Sequence, residues 1–152
     1  AIILRFSQWK QQDYTARLAR TPAEFEAFLK VFVDAGVDVL HASQRRYWEP
    51  EFPDVDGENG LNTAAWAKKL TGLPSITVGS VGLTGDFQNA FRGEGATVRK
   101  LDDLEARLDK GELDMVAVGR ALLQDPDWAT KVREGRSGEL KDYDAKSLAV
   151  LY

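Results

Sequence analysis

Four short apolar runs, each followed by a polar turn and then by helix signals, constrain this chain more than any other feature. Ile2–Phe6, Val37–Ala42, Pro74–Val78 and Met115–Val118 are rich in aliphatic and β-branched residues and too short for core helices, so they read as strands. After the polar stretch Ser7–Arg20, Thr21-Pro22-Ala23-Glu24 has the form of a capping box, with Pro22 in the first turn and Glu24 reaching back. Phe25, Phe28, Leu29, Phe32 and Val33 continue it along one face, and Gly36 supplies the stop. A long loop, Ser43–Gly60, precedes a helix capped by Asn62, carrying Ala64, Trp66, Ala67 and Leu70 and ended by Gly72. A glycine-containing connection leads to Thr97 and a helix with Leu101, Leu104 and Leu108 on one face, stopped at Gly111. Asp125-Pro126-Asp127 opens a further helical segment ending near Gly135, and Asp144–Leu151 reads as a last one.

Strand and helix thus alternate, which implies an α/β fold with a parallel sheet and helical crossovers. Four βα units in 152 residues occupy what half of an eight-unit barrel needs, since a whole one takes about 250. A small doubly wound sheet fits the same pattern, and periodicity does not choose between them. Ile2–Phe6 is expected to be buried on both faces. Because the chain opens inside that apolar run, we expect a piece of a longer polypeptide, the C-terminal half of a barrel.

Composition narrows the function. With 43% hydrophobic and 29% charged residues, the chain reads as an ordinary globular domain. A net charge of −4 and only isolated basic pairs, Arg45-Arg46 and Lys68-Lys69, argue against nucleic acid as a partner. The absence of cysteine removes disulfides, thiolate metal sites and thiol nucleophiles from this segment. No metal is expected, and the lack of an apolar run of spanning length or a leader pattern makes a cytoplasmic location, away from membranes, the expectation.

In parallel barrels the working groups sit at the C-terminal strand ends, and the loops after the last two strands commonly bind phosphate. Here those ends are Gly79-Ser80-Val81-Gly82 and Val118-Gly119-Arg120. Glycine lets backbone N–H groups approach an anion, and a neighbouring arginine adds charge-assisted hydrogen bonds. Read singly, these glycines are tight turns and Arg120 a surface cation; together on consecutive strands they form a candidate phosphate site. Arg5, between Leu4 and Phe6 in the first strand, is expected to need an anionic or strongly hydrogen-bonding partner. That partner is either a carboxylate or an electron-accepting cofactor on which negative charge develops.

Ile2-Ile3-Leu4-Arg5-Phe6-Ser7, Val39-Leu40-His41-Ala42-Ser43, Thr77-Val78-Gly79-Ser80-Val81-Gly82 and Val116-Ala117-Val118-Gly119-Arg120-Ala121-Leu122 followed by Asp125-Pro126-Asp127-Trp128 resemble the last four strand motifs of NADH:flavin oxidoreductases of the Old Yellow Enzyme family. The resemblance runs over essentially the whole chain, and its last motif is the most specific. It implies a (β/α)8 barrel, a TIM barrel, binding FMN at its C-terminal mouth. Reduced nicotinamide, NADH or NADPH, delivers hydride to the flavin, which passes it to the β-carbon of an enone-type alkene.

By motif position the resemblance places Arg5 against the flavin N1 and C2 oxygen region, and Gly79, Ser80, Gly119 and Arg120 on the FMN phosphate, with Ala117 beside them. Ala117 stands where some members have glycine, which leaves backbone contacts open. The family's substrate-holding histidine pair or histidine/asparagine pair and its tyrosine proton donor fall on strands outside this segment, so no catalytic residue is expected here. The only histidine, His41, reads as a hydrogen-bonded core residue or a flavin or substrate contact. Tyr14, Tyr47 and Trp48 line the substrate mouth or cover the barrel end, Trp66 and Trp128 pack, and Asp102, Asp103 and Glu105 form a charge cluster at a helix start.

The expected partner is a complementary N-terminal half-barrel, or a second copy that completes eight strands as a non-catalytic, self-associating half. A third reading, a phosphate-binding barrel without flavin, has no need of Arg5.

Overall fold

The structure, a computed structural model, describes residues 1–10 and 12–150; the last position of the helix expected over Asp144–Leu151 lies outside them. Strands β1 (Ile3–Phe6), β2 (Val39–Ser43), β3 (Ser75–Val78) and β4 (Met115–Val116) form one sheet in sequential order, with every neighbouring pair parallel. This order lacks the reversal at which a doubly wound sheet changes direction. Helices α1 (Pro22–Asp34) and α3 (Thr63–Thr71) carry the first two crossovers, and α5 (Asp102–Asp109) returns the chain to β4.

The local rules hold at the helix ends. Thr21 Oγ1 accepts from the Glu24 backbone N–H, and the Glu24 carboxylate accepts in return from Arg20 N–H at 2.7 Å, closing a box one residue wider than expected. Asn62 Oδ1 caps α3 through the Ala65 N–H at 2.9 Å, and Gly72 ends that helix in the left-handed conformation.

Four segments differ from the sequence reading. The loop after β2 contains a short helix, α2 (Pro53–Asp56), and the glycine-containing connection after β3 contains α4 (Phe87–Phe91), started by the Asp86 side chain on Asn89 N–H. After β4 the chain turns at Gly119 into α6 (Arg120–Gln124), followed by α7 (Trp128–Arg133). The terminal segment is a 3-10 turn, Ala145–Ala149, rather than an α-helix.

Alternation along the strands sorts the sheet into two faces. Leu40 packs with Phe25 and Leu29 of α1 and with Trp66 and Ala67 of α3 in one core cluster. Ala42 joins a second cluster with Ala64, Ala65, Leu104 and Trp128. The opposite face carries the row Arg5, His41, Ile76 and Met115, register partners across all four strands. Among the described residues no layer covers it, and Ile3 and Met115 are 56% and 41% exposed. The expectation that the first strand is buried on both faces is therefore corrected: β1 is an edge strand, and Ile3 and Arg5 are exposed. Among the described residues no helix is long and apolar enough to cross a membrane.

Candidate cofactor cleft

At the C-terminal ends of the strands lies an open cleft of about 270 Å³. All of the sequence-predicted binding residues, Arg5, Gly79, Ser80, Ala117, Gly119 and Arg120, line it together. Strand pairing brings them there, since β1, β3 and β4 end level and the chain leaves each at the same rim.

The bend after β3 is the most constrained part of the wall. Gly79 has φ +146°, and a Cβ there would stand 2.6 Å from the backbone oxygen of Gln44, so only glycine fits. Ser80 follows at φ 51°, a left-handed conformation that costs a non-glycine residue about 1 kcal/mol or more. Its hydroxyl is held by two carbonyls, Arg45 O at 3.2 Å and Gly85 O at 3.0 Å. Beneath the bend, Trp128 closes on Gly82, where a Cβ would meet the indole nitrogen at 3.1 Å. Among the described residues, the backbone N–H groups of Gly79, Ser80, Gly119 and Arg120 donate to no acceptor.

Two guanidinium groups line the cleft without a carboxylate within salt-bridge distance among the described residues. Arg120 donates to Asp86 O at 2.9 Å and Gly85 O at 2.7 Å, which fixes it against the bend. Burial pulls its pKa below the ordinary value, outweighing the attraction of Tyr143 and Asp86. A guanidinium stays protonated regardless, so an anion is the partner that relieves the desolvation. Among the described residues the hydrogen-bond partner of the Arg5 guanidinium is Ser43 Oγ, at 3.2 Å. Its partner is thus not a carboxylate of the described residues, and its expected burial is corrected by its place on the edge strand. Arg45, by contrast, is paired: its Nε lies 2.9 Å from Asp86 Oδ2.

His41 is not a hydrogen-bonded core histidine. Its Nε2 is buried without a partner, and burial together with Arg5 lowers its pKa. Tyr47 is fully buried and donates to Asp103; burial, reinforced by that carboxylate, pushes its pKa up to about 12. Trp48 lies under Arg99, 3.9 Å from the ring centroid. Neither Tyr47 nor Trp48 lines the cleft. Asp103 is more than a helix-start charge, since it takes hydrogen bonds from both Tyr47 and Arg99. Trp66 and Trp128 pack in the two clusters as expected.

Tyr14 lines a smaller cleft of about 140 Å³ that shares Trp9, Gln44 and Arg45 with the first. Sequence reading did not single out Trp9, Gln44, Asp86 or Phe87. Gln44 follows directly on β2, a position that points to the mouth, and Asp86 precedes α4 as an N-cap; these were the available signals.

Parallel strands in sequential order, with an open cleft at their C-terminal ends, define an α/β architecture. No protein-family model matches the chain. Curated relatives do, among them two oxidoreductases by name. A protein named NADH oxidase from Thermoanaerobacter brockii is 32% identical over 92% of this chain. One named bilirubin reductase from Mediterraneibacter gnavus is 26% identical over 75% of it. The chain spans only 21% and 16% of the lengths of these relatives. Both names are those of oxidoreductases, so the chain is similar to a segment of larger redox enzymes.

Proposed function

We propose that this chain is the phosphate-holding half of a (β/α)8-barrel flavin oxidoreductase of the Old Yellow Enzyme type. The observation that carries the reading is the convergence on one cleft of two guanidinium groups lacking carboxylates, Arg5 and Arg120, with the free N–H groups of the bends after β3 and β4. The residues fit FMN: the N–H groups and Arg120 suit a phosphate at one end, and Arg5 suits a developing negative charge at the other. The relatives' names agree with a redox role.

When bound, FMN supplies hydride relay from NADH or NADPH to the β-carbon of an enone-type alkene. This chain's residues bind and orient. Gly79 and Ser80, with Gly119 and Arg120, hold the phosphate, and Ala117 lines the same cleft. Arg5 holds a positive charge at the cleft rim, where its edge position keeps it available to the ring system. The groups that grip the substrate and donate its proton belong to the rest of the barrel, as the small share of the relatives covered by this chain leaves room for.

The uncovered sheet face, with Ile3 and Met115 exposed, is where the complementary half of the barrel docks. A second copy of the chain is the other occupant that this face admits. The visible spectrum of the purified protein, taken with its mass, tests the proposal. A bound or FMN-restorable flavin band is expected, together with enone-dependent NADH or NADPH oxidation by the complete barrel. A protein that stays colourless and binds no FMN overturns it, and a colourless two-fold assembly of this chain alone supports the self-associating half instead.

A further inference from the structure

Gln44, which lines the cleft, is 8% exposed, and its carboxamide is bonded to two neighbouring elements. Its Nε2 donates to Thr77 Oγ1 at 2.6 Å, and its Oε1 accepts from the Thr63 backbone N–H at 2.8 Å. Asn62 extends the network by donating to Tyr47 O at 2.7 Å and to Thr77 Oγ1 at 3.3 Å, while its own oxygen caps α3. Thr77 and Asn62 are fully buried and Thr63 nearly so. One set of hydrogen bonds thus ties the end of β2, the start of α3 and the middle of β3.

The backbone of the same segment moulds the bend after β3. Gln44 N–H donates to Val78 O, and Tyr47 N–H donates to Gly79 O, each at 3.0 Å. Gln44 O is the atom that a Cβ at Gly79 would strike, and Arg45 O receives the Ser80 hydroxyl. The surface against which residues 79–80 are shaped is therefore the backbone of residues 44–47, and the Gln44 carboxamide ties that surface to β3 and α3. A carboxamide suits this position because it offers a donor and an acceptor at one reach. Leucine of similar size would leave the Thr63 N–H without an acceptor in a buried place.

We propose that Gln44 is a positioning residue for the phosphate end of the cleft, setting the shape of the Gly79–Ser80 bend through its bonds to Thr77 and Thr63. The inference rests on the flavin reading of that cleft. FMN and riboflavin differ only in the phosphate, so the ratio of their affinities isolates this subsite, whereas general loosening weakens both ligands alike. Fluorescence quenching of each flavin by the wild-type protein, Gln44→Leu and Thr77→Val provides the test.

Wild type is expected to favour FMN. Gln44→Leu is expected to lower the FMN-to-riboflavin ratio about tenfold, one power of ten in the binding constant, and Thr77→Val to lower it in the same direction by a smaller factor. Thr77→Val keeps the β-branched shape of the strand and decides the matter alone if Gln44→Leu does not fold. A ratio within about twofold of wild type in the folded variants, or an equal loss of both flavins, overturns the role of Gln44 while leaving the flavin reading in place, because positioning energies of about 1 kcal/mol exceed that margin. A wild-type protein with no preference for FMN overturns the flavin reading itself, and this inference with it.

Discussion

The two faces of the sheet obey different rules. On the helix-covered face Leu40 is fully buried between α1 and α3, and Thr77 and Asn62 are hydrogen-bonded, while Ser75 Oγ and Trp66 Nε1 are buried without a partner among the described residues. On the other face Arg5 has only a serine hydroxyl, His41 Nε2 has no partner, and Ile3 and Met115 meet solvent. The first face is packed under helices, whereas among the described residues the second is covered by no layer. Stability is therefore expected to reside on the covered face and the cofactor chemistry at the rim of the uncovered one.

Substitutions that separate the faces can break this contrast. Leu40→Ala is expected to cost about 2–5 kcal/mol in urea unfolding, because it opens a cavity in a closed core. Gly79→Ala is expected to cost about 1–3 kcal/mol through backbone strain and, because its Cβ would strike Gln44 O, to weaken FMN binding in a flavin titration. Arg120→Ala is expected to weaken FMN about tenfold by removing a charge-assisted contact, with riboflavin much less affected in the same titration. If riboflavin falls equally, Arg120 serves the bend alone.

His41 sharpens the comparison through pH. Burial and the nearby Arg5 hold its pKa below the ordinary 6.5, so on acidification the unfolded chain takes up a proton before the folded one does. Its contribution to stability is present above about pH 6.5 and is lost as pH falls toward the lowered folded value. Unfolding midpoints across that window are expected to show the loss in wild type and not in His41→Gln. Smallest of all, Ile3→Ser is expected to change the stability of this chain by less than about 0.5 kcal/mol in the same urea assay, since the side chain is already in water. A larger cost would mean that a neighbour covers β1.

Much of the framework was legible because local rules and packing agree. The capping residues Thr21 and Asn62, the glycine stops at Gly36, Gly72 and Gly111, and the apolar stripe of α1 all act where the sequence placed them. The candidate residues, picked out at the ends of the last two strands and, for Arg5, within the first, line one cleft together. What escaped has physical causes. A five-residue helix such as α4 has too few turns to display a period, and only its Asp86 cap could have signalled it. The exposure of Arg5 depends on what lies across the sheet, which no property of β1 itself encodes. The role of Gln44 comes from partners 19 and 33 positions away, Thr63 and Thr77, a separation at which no local pattern survives.

A crystal structure of the protein grown with FMN would test the phosphate-holding cleft most directly. The expected result is a phosphate within hydrogen-bond distance of the N–H groups of Gly79, Ser80 and Gly119 and of the Arg120 guanidinium, with the ring system extending toward Arg5. Flavin bound elsewhere, or a phosphate turned away from these groups, would contradict it.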